Sequence, residues 1–386
     1  MANFTRSKRR CIVGFNVYIP KGGKIQTHVR GITNPHLKDH VEELTIPEGV
    51  EYIDKGAFAN LHCLRSITFP PSLHIIDNEA FAFSFNDKDA KVVLLDTIAY
   101  LGRFAFQNCT KLVSITLPKK HIYMVRAGTF IGCRGLTHVD IGDNCLMICA
   151  RAFQNCGSLP SITLPNIKKI QENAFKDCHS LKEVNCWNLS GNTRGRKGFF
   201  SRCLSEIGDW AFCRCYNLRD FRFLMPLTRI GRGAFMECRW LKTVVLPNLC
   251  DVVRKNTFFK CVRLEVITLP KKLQKIEEGA FYGCESLKCI KLPHSLKEIA
   301  IDAFTNCYNM HSVIFHAPHP QAAFIVWVVS NSRRKNYKLT TVRNMRNILR
   351  MIVAMAAGIR RSVKDIDQVS AVFKKCHRLF DPEVRF

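Results

Sequence analysis

A chain in which one dipeptide returns about every 23 residues is confined to a repeat architecture, and here that dipeptide is Ala-Phe. It stands at Ala57-Phe58, Ala80-Phe81, Ala105-Phe106, Ala152-Phe153, Ala174-Phe175, Ala211-Phe212, Ala234-Phe235, Ala280-Phe281 and Ala303-Phe304. Thr129-Phe130 and Thr257-Phe258 fill the two remaining places. Successive phenylalanines are separated by 23, 25, 24, 23, 22, 37, 23, 23, 23 and 23 residues. A unit of this length cannot bury its own apolar positions and has to stack on its copies, so the period predicts one continuous core shared by all units.

Residues 264–286 show what the unit contains. Leu264-Glu-Val-Ile-Thr-Leu-Pro270 alternates apolar and polar residues and is β-branched, which predicts a strand that proline closes, since proline has no N–H for a ladder. Equivalent segments end at Pro47, Pro70, Pro118, Pro165, Pro247 and Pro293, and weaker copies lie at Val92–Leu95, Val139–Gly142, Val184–Trp187, Phe221–Leu224 and Val313–His316. Twelve strands are therefore expected in a long parallel sheet on one face, with the Ala-Phe turn on the other and its phenylalanine in the core.

The shared pattern Leu-x-x-Ile-x-Leu-Pro-x-x-Leu-x-x-Ile-x-x-x-Ala-Phe-x-x-Cys resembles the BspA-like leucine-rich repeat over residues 41–316. The resemblance implies an α/β repeat fold, a curved right-handed leucine-rich-repeat solenoid whose members serve as binding or adhesive surfaces. It supplies no catalytic residues. The 13 histidines are scattered through the units, and no paired carboxylates, nucleophile–base pair or phosphate loop stands out, so a non-enzymatic chain without cofactor is expected.

Nine of the 19 cysteines lie three residues after a repeat phenylalanine: Cys109, Cys133, Cys156, Cys178, Cys215, Cys238, Cys261, Cys284 and Cys307. Leu61 and Ser84 hold that place in the first two units. The position takes a small, fairly apolar side chain, a description free cysteine fits. Parallel Cβ vectors and an odd count predict a ladder of buried thiols rather than disulfides, and hence a reducing, intracellular setting, cytoplasmic or nuclear. Cys186, Cys203, Cys213 and Cys215 surround one insertion, and Cys145 and Cys149 stand four apart, but none shows the matched pairs of a zinc site, so no metal is expected. The basic start Arg6-Ser-Lys8-Arg9-Arg10 precedes only a short mixed stretch, which reads as a capping strand or hairpin rather than a signal peptide. No apolar run is long enough for a membrane span.

The net charge of +27 is unevenly spread. Residues 1–40 carry +7, the segment 188–203 carries +4 and residues 317–386 carry +10, so the repeats proper keep only +6. These divisions are the expected organisation: a basic N-terminal cap over 1–40, the solenoid over 41–316 with a basic loop inserted at 188–203, and a basic helical C-terminal cap over 317–386. The helix is expected from Leu339 to Arg361, where Val342, Met345, Leu349, Ile352, Met355 and Ile359 recur at three or four residues. A terminal coil needs a cover, and a basic amphipathic helix also suits a membrane surface or an acidic partner. Val372-Phe373-Lys-Lys-Cys376 echoes the repeat 69 residues beyond Phe304.

Between the core positions of each strand lie the residues that face outward. One such row includes Thr68, Thr116, Asp140, Thr163, Asn185, Arg222, Thr268 and Lys291, with Thr45, Val93, Val245 and Ile314 completing it. The row is rich in hydroxyls and near neutral, so it is either plain scaffold or a face for a protein partner, and these residues are the candidate contacts. The alternative is binding of nucleic acid or another polyanion through Arg194, Arg196, Lys197 and Arg202 of the inserted loop and Arg333, Arg334 and Lys335 near the C-terminus. The neutral row and the lack of a nucleic-acid motif argue against it.

Overall fold

The computed structural model describes residues 40–87, 89–186, 204–219, 221, 227–300, 302–310 and 312–315, Gly31, and the backbone of four short strands nearer the N-terminus. The expected helical cap over 317–386 and the loop 188–203 lie outside the described residues, as does all but Phe221 of the strand expected at 221–224.

The chain is a parallel β-solenoid of leucine-rich-repeat form with about ten turns. Eleven of the twelve expected strands are present, from Glu43–Thr45 to Ser312–Phe315. Burial alternates within them as the pattern requires: Ser161 and Thr163 are exposed on either side of buried Ile162. Pairing is parallel and in register, Leu44 opposite Ile67, Ile115 opposite Val139, Val244 opposite Ile267. The ladder is interrupted between Thr68 and Ala90, between Asp140 and Ser161, and between Thr268 and Cys289, so the face is a series of short sheets rather than one unbroken one.

A second line of strands runs along each coil, and the sequence reading did not foresee it. These strands are two residues long: Tyr52–Ile53, Ile75–Ile76, Tyr100–Leu101, and so on to Glu298–Ile299. Each turns one aliphatic residue inward, such as Ile76, Ile148 or Ile276. Two residues are too few to show an alternation, which is why the period-two signal missed them.

No helix occurs among the described residues, so the α part of the expected α/β class is not found there. The Ala-Phe segment is instead a turn whose N–H groups alternate in target. Ala57 donates to Asp54 in its own coil at 3.1 Å, whereas Gly56, Phe58 and Asn60 donate to Asn78, Ala80 and Ala82 of the next coil at 2.8–3.0 Å. A helix would keep all of these bonds to itself. The turn also needs left-handed backbone just before the alanine or threonine of the dipeptide, at Gly56, Gly128, Gly233 and Gly279 but also at Glu79, Phe104, Arg151 and Trp210.

The phenylalanines form one column. From Phe58 to Phe304 every successive pair stacks, with ring centroids 5.2–5.8 Å apart and planes within 20°. All are fully buried. Such offset stacks contribute about 0.5–1.5 kcal/mol each beyond the area they bury. At the N-terminal end, Asn3–Thr5 and Arg10–Ile12 pair antiparallel, and the latter then pairs parallel to Glu43–Thr45. Asn16–Tyr18 and Gln26–Val29 do the same on the second line, reaching Tyr52–Ile53. The expected hairpin is thus a pair of hairpins, one extending each line.

Candidate interaction surface

The outward row of the longer strands is the surface that the fold holds most regularly. Register places Thr45 beside Thr68, Val93 beside Thr116, Thr116 beside Asp140, and Thr163 beside Asn185. Toward the C-terminal end Val245 lies beside Thr268 and Lys291 beside Ile314. Of the candidate contacts, Thr68, Thr163, Thr268 and Lys291 are exposed, and Thr116, Asp140 and Asn185 are half-buried. Arg222 lies outside the described residues, as do Arg194, Arg196, Lys197, Arg202, Arg333, Arg334 and Lys335.

The row carries more apolar surface than its hydroxyl content suggests. Val93, Val245 and Ile314 are 41–63% exposed. Within each short sheet the strands lie about 4.8 Å apart, so these side chains and the threonine methyls adjoin on a largely uncharged face. Valine, isoleucine and threonine all favour strands, and their exposed carbons on this face are also open to contact with another surface.

Beneath it the cysteine ladder is structural. In all nine units the thiol donates to the carbonyl of the preceding coil's phenylalanine, Cys133 to Phe106 at 3.0 Å and Cys284 to Phe258 at 3.2 Å being representative. Ser84 makes the same bond to Phe58 at 2.7 Å. The position therefore selects a compact donor, not merely a small side chain. Every ladder cysteine is a free thiol. Burial pushes the Cys307 thiol up to about 12, and raises Cys238, Cys261 and Cys284 as well. Such groups stay protonated and inert at neutral pH. Among the described residues, no three of His, Cys, Asp and Glu gather as a metal site would require.

One exposed cluster went unforeseen. Where the longer strands begin, Trp240 is bracketed by Arg219 and Arg263, one coil before and one coil after. Trp240 and Arg263 share one place in their units, five residues after the repeat phenylalanine, but Arg219 stands seven after Phe212, so spacing alone did not mark the cluster.

The model of the BspA type leucine rich repeat region matches residues 36–124, 82–205 and 205–322, in six copies. The chain belongs to this family. No curated protein matches it. Among solved structures, a leucine-rich repeat protein from Bacteroides ovatus is 24% identical, with a TM-score of 0.58 over 81% of this chain and 86% of that one. A leucine rich cell surface protein from Faecalibacterium prausnitzii is also 24% identical, over 86% of this chain and 92% of that one, with a TM-score of 0.47. The Bacteroides likeness carries the fold alone. Leucine-rich repeat proteins generally act as protein-interaction scaffolds, and BspA-type chains are non-enzymatic in kind. Among the described residues no helix is long and apolar enough to cross a membrane.

Proposed function

We propose that this BspA-type solenoid is a non-enzymatic scaffold that presents the outward row of its longer strands to a protein partner. The observation that supports this reading is the outward row, in which Val93, Thr116 and Asp140, then Thr163 and Asn185, Val245 and Thr268, and Lys291 and Ile314 adjoin in register within successive short sheets. Its chemistry is shape matching over a rigid surface, with scattered hydroxyls to orient the partner and the basic segments beyond the repeats to speed encounter with acidic surfaces. The ladder of free thiols favours a reducing, intracellular compartment.

The experiment is affinity capture with the full chain and with a Thr116→Arg, Thr163→Arg, Thr268→Arg variant at low and high salt. Loss of the captured protein in the variant, with the melting curve unchanged, supports the row. Retention removes the row from the account. A partner that is nucleic acid, and that is released steeply by salt, would instead favour the polyanion reading through Arg194, Arg196, Lys197, Arg333, Arg334 and Lys335.

A further inference from the structure

Trp240 is 39% exposed, and two guanidinium groups lie on it. The Cζ of Arg263 is 3.5 Å from the ring centroid and that of Arg219 is 5.3 Å from it. Beside this group runs a second stack. His179 and Tyr216 lie 4.7 Å apart with planes 8° from parallel, and the Cζ of Arg239 sits 4.5 Å over Tyr216. The two stacks occupy the same edge of the solenoid, immediately before the longer strands, across successive coils.

Several acidic groups of this region are already committed. Asp177 takes two hydrogen bonds from Arg214, at 2.5 and 2.8 Å. Glu237 pairs with Arg239 at 2.8 Å, and Glu265 lies between Lys242 and Lys288 at 3.4 and 3.1 Å. Among the described residues, neither Arg219 nor Arg263 pairs with a carboxylate. A guanidinium lying face-on to an indole is held in place while its N–H donors, which lie in its own plane, stay available. The indole therefore restrains two exposed guanidinium groups and reduces the entropy their side chains lose on binding. Carboxylates match such a fork in a bidentate way. With their Cζ atoms 3.5 and 5.3 Å from the same ring centroid, the two guanidinium groups are less than about 9 Å apart, within the reach of roughly three residues of extended chain.

We propose that this edge is a docking site for an acidic segment of a protein, with Arg219 and Arg263 each receiving a carboxylate and Trp240 packing between them. The inference rests on the scaffold reading above but uses a different surface, the edge rather than the strand row. Trp, Tyr and Arg are the residues that most often dominate binding energy at protein interfaces, and here they form one preorganised group.

The test is fluorescence anisotropy of a labelled glutamate-rich peptide titrated with the full chain. The wild type is expected to bind, and Trp240→Ala and the Arg219→Gln, Arg263→Gln pair are each expected to weaken binding at least tenfold. Arg263→Lys keeps the charge but loses the planar fork, and is expected to lose about fivefold or more. The Thr116→Arg, Thr163→Arg, Thr268→Arg chain is expected to bind as the wild type does. Absent binding, or equal binding by Trp240→Ala with melting unchanged, overturns the proposal. Full affinity in Arg263→Lys overturns the fork geometry. Loss only in the strand-row variant overturns the edge while leaving the scaffold reading standing. Tighter binding of an RNA oligonucleotide or heparin through the same arginines replaces the acidic protein with a polyanion.

Discussion

Phe175 and Phe212 stack at 5.2 Å with their planes 3° apart, although 37 residues separate them. The backbone agrees: Phe175 donates to the carbonyl of Ala211 at 2.8 Å, and Lys169 pairs in register with Glu206. The extra residues of that interval thus leave the coil-to-coil geometry where a 23-residue interval puts it. Deleting residues 188–201 restores that interval. The melting temperature is expected to stay within about 2 °C of wild type, the shift that roughly 1 kcal/mol gives in a chain of this size. Loss of a cooperative transition in calorimetry would show that the insertion holds the coils together.

Each interior phenylalanine has a ring on both sides, so truncation removes two stacks and opens a cavity. Phe212→Ala is expected to destabilise by about 3–5 kcal/mol. Because neighbouring coils are coupled only to each other, Phe304→Ala is expected to loosen its own end and leave coils near Phe81 protected. Hydrogen exchange on the two variants measures this. Uniform loss of protection along the chain in Phe304→Ala would contradict nearest-neighbour coupling.

The first line of strands and the phenylalanine column were legible because a packing requirement repeats there. Every unit must fill the same interior site, so Phe153, Phe175 and Phe212 announce themselves by spacing alone. The second line was not legible, because a pair such as Lys275–Ile276 carries one inward residue and no pattern. The strand row was legible as a set of positions, but the exposure of Val93 and Val245 depends on what the fold leaves uncovered. The Trp240 cluster was hidden for a different reason. Arg219, Trp240 and Arg263 differ in type, and only coil stacking brings them onto one another.

Close approach of coils is set by glycine at Gly208. A Cβ there would lie 2.6 Å from the backbone carbon of Gln171 and 2.6 Å from the amide nitrogen of Glu172. Backbone cannot yield as a flexible side chain can, and Gly208 also donates to the carbonyl of Ile170 at 2.7 Å. Gly208→Ala is expected to destabilise by about 1–3 kcal/mol in urea unfolding. Gly157→Ala, where nothing lies within 4 Å of the added carbon, is the control and should change stability far less.

The buried thiols make stability fall on the alkaline side. Burial raises Cys109, Cys156, Cys215, Cys238, Cys261, Cys284 and Cys307 above the ordinary thiol value. In the unfolded chain a cysteine titrates near about 8.5. Between that value and the raised folded one, the folded state holds protons that the unfolded state has released, so unfolding becomes easier as pH rises. Stability from this source is fully present below about pH 8.5 and is lost above it, at up to roughly 1.4 kcal/mol per pH unit for each thiol. The urea midpoint, measured under reducing conditions, is expected to drop between about pH 8.5 and 9.5, below the range where tyrosine and lysine titrate. Cys261→Ala removes one such group, so its stability is expected to fall less steeply with pH, whatever the substitution costs at pH 7. A midpoint that stays level across this window, or an unchanged slope in Cys261→Ala, would mean that the thiols do not stay protonated in the folded coils.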